Sequence, residues 1–237
     1  MPLVSFNVTL LYPIDGGQIL KSLRHETGAC PGASIIVMHG LGASADDFVP
    51  FVEQIDLRSI GAVRFVFPQA PDMAVTINGG YRMPAWYDIS LADLTRREDE
   101  AGLRASQAAV NQLIEREIVS GVPARRIVVA GFSQGCAMAL MTGLRYPQRL
   151  AGIVGMSGYM PLAELTAGEQ HAANADVPVF LAHGTRDGVV PPSRAEAARD
   201  QLIELGHPVE WHSYPMEHSV CPQEVADLNR WLLKILA

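Results

Sequence analysis

The chain has 237 residues, 49% of them apolar and 18% charged, and a formal net charge of −7. That is long enough for a buried core and ordinary for one α/β domain, while the acidic balance leaves no basic stripe for nucleic acid. Three cysteines (Cys30, Cys136, Cys221) are too few and too far apart for a disulfide framework and read as free thiols; with no signal peptide or transmembrane stretch in view, a cytoplasmic protein is expected.

Two N-terminal segments, about 3–11 and 18–26 around Asp15-Gly16-Gly17, read as an antiparallel hairpin at one sheet edge. Ser34–Met38 is a short β-rich apolar run that ends in His39-Gly40-Leu41-Gly42, and Val63–Phe67 is another. From Pro68 to Asp88 the chain is rich in Pro and Gly and carries Ile77, Tyr81, Met83, Trp86 and Tyr87, which predicts a long functional loop. Leu103, Val110, Ile114 and Ile118 then share a helical face. Ile127–Ala130 is a buried strand running straight into Gly131-Phe132-Ser133-Gln134-Gly135 and a helical pattern. Ile153–Met156 and Val179–Ala182 are further strands, separated by a second irregular insert from Gly158 to Val177. Ala195, Ala198, Leu202 and Leu205 mark a helix, Val209–Tyr214 a strand, and Val225, Leu228, Leu232 and Ile235 the last helix. Strands alternating with helices predict an α/β fold, a mainly parallel central sheet with helices on both faces. Without repeat, low-complexity tract or linker, residues 1–237 are expected to form a single domain.

Gly-x-Ser-x-Gly between a strand and a helix is the pattern of a nucleophile elbow, whose glycines make room for a strained turn that lifts the serine out of the sheet. Composition alone yields about 0.1 such matches by chance, so its position is what makes it informative. A serine hydroxyl needs a base, and the base an orienting carboxylate; in elbow folds these follow in the order Ser, acid, His. Asp187 closes a strand in a Gly-flanked turn, where catalytic groups of open α/β sheets gather. Asp176 lies at the other end of that strand and Asp200 within a helical pattern. His218 lies in a loop past the last strand, whereas His207 falls in a turn at the wrong end and His212 inside the strand itself. Oxyanion donors are expected from the backbone N–H of Gln134, at a helix start, and of Leu41, in the glycine-flanked loop after Ser34–Met38; a plain tight turn is the other reading of that loop. Nothing supports a metal at His39 or His183, or a dinucleotide cofactor, and Cys136 reads as a small buried residue.

These motifs, with Pro68-Gln69-Ala70-Pro71, Met83-Pro84-Ala85-Trp86-Tyr87-Asp88, Ser157-Gly158-Tyr159 and Glu217-His218, resemble the acyl-protein thioesterase and small carboxylesterase family of α/β hydrolases, whose members are also described as lysophospholipases. The likeness runs from about residue 34 to the C-terminus. It implies Ser133, Asp187 and His218 as triad, Leu41 and Gln134 as oxyanion hole, and Trp86 on the wall of the substrate groove. Ala43 stands where an acidic residue is common, Cys136 where a second glycine is usual, and the N-terminal hairpin is additional.

The combined expectation is a cofactor-independent serine hydrolase that cleaves carboxylic esters or thioesters through an acyl-enzyme. Ile77, Tyr81, Met83 and Trp86 would offer an apolar cleft for an acyl chain, of a lipid-like substrate or a lipidated protein; core packing is the other reading of that loop. Transfer to an acceptor other than water, a lysophospholipase on the same site, and a silent binding module on a hydrolase fold are the alternatives. Acyl length, ester against thioester preference and oligomeric state are not legible in the residues.

Overall fold

Short runs of β-branched and aromatic residues, buried on both sides, build the centre of the molecule. In the computed structural model, which describes residues 7–9, 20–90 and 98–237, the main sheet comprises β1 (Asn7–Thr9), β2 (Ser22–Glu26), β3 (Ala33–Met38), β4 (Val63–Pro68), β7 (Ile127–Phe132), β8 (Gly152–Met156), β9 (Val179–Gly184) and β10 (Val209–Tyr214). Its spatial order is β1-β2-β4-β3-β7-β8-β9-β10. From β4 to β10 every pairing is parallel, and β1 and β2 add antiparallel to the β4 edge with Val8 opposite Leu23 and Leu23 opposite Phe67. The antiparallel N-terminal pair is therefore present at the expected edge, while its Asp15-Gly16-Gly17 turn lies outside the described residues.

Helices cover both faces. On one, Ile36, Met38, Val129, Ile153 and Leu181 pack with α2 (Glu100–Val119) and α3 (Gln134–Arg145). On the other, Ile35, Val37, Val128, Ala130 and Phe180 pack with Val225, Leu228, Trp231 and Leu232 of α6 (Pro222–Ile235). Consecutive residues of one strand thus serve opposite cores, which is why these strands read as unbroken apolar runs. Each buried Val, Leu, Ile, Phe or Met among them contributes about 1.5–3 kcal/mol. The remaining helices are α1 (Val49–Val52), α4 (Ala163–Glu169) and α5 (Pro192–Glu204). Among the described residues no helix is long and apolar enough to cross a membrane.

Two stretches expected as irregular contain regular structure. Within 68–88, β5 (Asp72–Val75) and β6 (Tyr81–Pro84) form a separate antiparallel hairpin, Met73 opposite Met83. Within 158–177, α4 spans two turns. Both carry few buried side chains (Val75 on β5, Thr166 on α4), so neither writes a hydrophobic period into the sequence.

A buried charge network ties the added strand to the rest. Glu117 of α2 accepts from Arg24 Nη2 (3.2 Å) on β2 and Arg64 Nη1 (2.9 Å) on β4, and Arg64 Nε also donates to Glu26 (2.7 Å). Glu117 is buried between two guanidinium groups, so its removal leaves uncompensated charge in a low-dielectric setting. Glu117→Ala is expected to lower stability by about 3–5 kcal/mol. Urea unfolding reads this as a lower midpoint at unchanged slope; an unchanged midpoint would deny the network its role.

Candidate active site

Gly131 and Gly135 are glycines because there is no space for anything else. A Cβ on Gly131 would stand 2.1 Å from the Gly135 carbonyl oxygen, and one on Gly135 2.2 Å from that of Met38. Between them Ser133 adopts φ 57° and ψ −118°, a conformation that costs a side-chain-bearing residue about 1–3 kcal/mol. The turn is held by Ser133 N–H donating to Met156 O (2.8 Å) and Cys136 N–H donating to Ser133 O (3.0 Å). Serine before a helix normally turns its hydroxyl back to cap the free amides. Here no such cap forms, and Oγ faces His218 instead.

The three residues expected to cooperate come together from three strand ends. Ser133 Oγ lies 2.9 Å from His218 Nε2, and His218 Nδ1 lies 2.7 Å from Asp187 Oδ2. An ionised carboxylate only accepts, so Nδ1 carries the proton and the Nε2 lone pair faces the hydroxyl. The other carboxylate oxygen, Oδ1, accepts from the N–H groups of Val189 (2.8 Å) and Val190 (2.9 Å). Burial pushes the Asp187 carboxyl upward, but the bonds from His218, Val190 and Val189 outweigh it and hold it below the ordinary carboxylate value. The His218 ring leans on Phe132, with centroids 4.7 Å apart.

The rejected candidates are engaged elsewhere. Asp176 pairs with Arg149 and Asp200 with Arg199. His207 bonds Val177 O and Gln170, and His212 contacts Glu210 and Asp227.

Leu41 and Gln134 border the same serine. Gly40 passes so close that a Cβ there would lie 3.2 Å from the Cβ of Ser133, and Gln134 is the first residue of α3. Among the described residues no hydrogen bond takes up the N–H of either Leu41 or Gln134. The Gln134 side chain faces the other way, accepting from Trp86 N–H and donating to Tyr87 O (both 2.8 Å).

The residues expected to line a cleft divide. Trp86 is not on a groove wall: it is 1% exposed, and its indole Nε1–H donates to His39 O (2.9 Å), so it anchors the 39–42 loop from below. Its polar ring edge required a buried acceptor, which a reading of the loop as lining overlooks. Met83 is half-buried, with its sulfur 3.5 Å from where a Cβ on Gly42 would stand. Ile77 and Tyr81, on the β5–β6 hairpin, are 37% and 70% exposed.

Some contributors escaped the sequence reading. Gln69 Oε1 accepts from Ala45 N–H (3.0 Å) and so ties the end of β4 to the 39–45 loop. His183 Nε2–H donates to Val190 O (2.9 Å) and lies 3.3 Å from Asp187 Oδ2, bracing the acid. The one visible signal for His183 was its position before a glycine at the end of a strand, and for Gln69 its place in Pro68-Gln69-Ala70-Pro71. Cys136, as expected, is buried, and burial pushes its thiol up to about 12.

The sequence model of the family described as Phospholipase/Carboxylesterase matches residues 26–236. A protein of Yarrowia lipolytica named acyl-protein thioesterase 1 is 40% identical over 216 residues, 89% of this chain and 95% of that protein. Its Neurospora crassa namesake is 42% identical over 215 residues, 86% of this chain and 87% of the relative. Among solved structures, Arabidopsis thaliana SOBER1 superposes with a TM-score of 0.81 at 28% identity, covering 86% of this chain and 99% of its own.

One titratable group in the segment after His218 stands apart. Glu224, in the first turn of α6, is wholly buried, and among the described residues no side chain donates to either of its carboxyl oxygens. Burial pushes it up to about 8 against a downward pull from the Cys221 backbone, and the Asp227 carboxylate adds a smaller upward push. The folded chain therefore keeps a proton that the unfolded chain releases near the ordinary value of 4.5. Its contribution to stability is complete below that value and is lost as pH rises towards 8. Glu224→Gln should remove this loss: the stability difference between variant and parent is expected to grow by up to about 1.4 kcal/mol per pH unit across the window. Urea unfolding at several pH values measures it, and a flat difference would contradict the shifted carboxyl.

Proposed function

This chain belongs to the phospholipase/carboxylesterase family and is a carboxylic ester hydrolase; on that premise we propose that it cleaves acyl esters and thioesters by a Ser133–His218–Asp187 relay through an acyl-enzyme. The observation that carries the reading is the continuous chain Ser133 Oγ, His218, Asp187 at 2.9 and 2.7 Å, starting from a serine whose hydroxyl caps nothing.

Ser133 Oγ attacks the acyl carbonyl as His218 Nε2 takes its proton. The ring then carries positive charge, which the Asp187 carboxylate, kept ionised by donors from His218, Val189 and Val190, stabilises. The negative oxygen of the tetrahedral intermediate would rest on the N–H groups of Leu41 and Gln134, the second at the positive end of α3. Collapse expels the alcohol or thiol with the proton returned by Nε2, leaving an ester on Ser133. Water, deprotonated by the same nitrogen, repeats the sequence and frees the acid. No step uses a metal or an organic cofactor.

For substrate we propose an acyl chain laid along Met83 and Ile77 at the mouth of the site, and a thioester to a protein thiol as the natural linkage, following the names of the relatives. The free cysteines fit a reducing compartment, and we place the enzyme in the cytoplasm. One domain spanning the chain is part of the same proposal.

Ser133→Ala is expected to cut hydrolysis of a p-nitrophenyl acyl ester by at least about 10⁴-fold with the melting temperature retained. Full activity in that variant would refute the nucleophile. Asp187→Asn carries a sharper consequence. The Val189 and Val190 amides hold the side-chain oxygen at δ1, so the new NH₂ must face His218 Nδ1 and force the proton onto Nε2, where it blocks the serine. Turnover should fall about 10⁴-fold, with imidazole NMR showing the reversed tautomer; retained turnover would exclude the relay.

A further inference from the structure

Oxyanion donors work only if they are aimed before the charge appears. Leu41 N–H belongs to the same peptide unit as the Gly40 carbonyl, and in a trans peptide the two point in opposite directions. Whatever grips Gly40 O therefore aims Leu41 N–H. A side chain at residue 40 would crowd the serine, because a Cβ would sit 3.2 Å from Ser133 Cβ and 3.4 Å from the Phe132 ring, and one of them would have to give way. Glycine leaves that space free, and brings backbone freedom with it.

The grip comes from the preceding residue. His39 is 1% exposed, and its Nε2 accepts from Ala70 N–H (3.1 Å). An accepting Nε2 leaves the proton on Nδ1, and Nδ1–H donates to Gly40 O at 2.7 Å. Ala43 N–H reaches the same oxygen at 3.2 Å. The ring itself is fixed against Trp86, with centroids 5.5 Å apart. We propose that His39 is a positioning residue for the hydrolytic reaction: through the Gly40 carbonyl it orients, and by polarising that peptide strengthens, the Leu41 N–H that receives the oxyanion. This rests on the reading of Leu41 as an oxyanion donor. It also gives His39 a neutral, one-tautomer role with no part in proton transfer, because a second ring proton would face the Ala70 N–H.

The two ring nitrogens can be separated by substitution. His39→Asn places its amide nitrogen near the Nδ1 position and keeps the donor to Gly40 O. His39→Gln reaches the Nε2 position and keeps the acceptor for Ala70. His39→Phe keeps neither. With a p-nitrophenyl ester, His39→Phe and His39→Gln are expected to lose roughly 10- to 100-fold in kcat at nearly constant KM, short of the 10²–10³ that deletion of an oxyanion donor costs. His39→Asn should recover to within about fivefold of the parent on the same scale. Inhibition by an acyl trifluoromethyl ketone, whose serine adduct carries the same oxyanion, should weaken in parallel with kcat/KM. Equal rescue by Gln and Asn, or a change confined to KM, would overturn the proposal and leave His39 a mere brace for Ala70. If His39→Phe does not fold, the Asn and Gln pair alone decides. An inactive parent enzyme that forms no ketone adduct would refute the Ser133 reading itself, whereas an active parent with all three variants at parental kcat removes only His39.

Discussion

Ser133 occupies a backbone conformation that is unfavourable for any residue carrying a Cβ, and much of its surroundings is explained by the need to impose it. The sheet does so sterically. Met38 of β3 closes on Gly135 and the first turn of α3 on Gly131, while the Met156 carbonyl of β8 holds the N–H of Ser133, so the chain between strand and helix is fixed from three sides. Relaxing the turn would mean separating the central strands. The strain is thereby charged to the largest cooperative unit in the molecule, where a few kcal/mol are well covered by burial.

The same economy shapes the polar groups around it. Three histidines stand at strand ends near the serine, and each has its tautomer set by what surrounds it. His218 gives its Nδ1 proton to a carboxylate and presents a lone pair to the hydroxyl; His39 gives its Nδ1 proton to a carbonyl; His183 gives its Nε2 proton to Val190 O beside the acid. Only His218 is partly open to solvent. The other two are buried, and burial lowers the basicity of His39 from its ordinary value. In the proposed mechanism one imidazole moves protons and two hold main chain in place, a division made by environment and not by residue type.

Much of this was legible before any coordinates. The elbow combined a strand, a spacing and a helix start, and chain order with strand-end position then selected Asp187 and His218, the two that the fold brings into line with Ser133, from three acids and three histidines. What escaped was what depends on contacts across the fold. The β5–β6 hairpin buries Val75 and little else, so it has no period to read. Trp86 looked like lining because it is aromatic in a Pro- and Gly-rich stretch, yet its indole N–H needed a buried acceptor that only the folded chain supplies. Nothing near His39 in the sequence reveals that the amide of residue 70 meets its ring. Glu224 resembles any acidic residue in the first turn of a helix, and its isolation follows from what packs over it.

Gln134 through Leu144, almost the whole of α3, are buried, so this helix lies sealed between the sheet and its neighbours. Core helices of this kind open at free energies that approach that of global unfolding, so its amides belong to the most protected class of the molecule. The β5–β6 hairpin, outside the main sheet and with most of its side chains open to water, belongs to the opposite end of that scale. Ser133 thus stands at the head of a segment anchored in the core, while the hairpin can open and close without disturbing it, so that local fluctuation in the 72–84 stretch and the strained turn at Ser133 belong to different timescales.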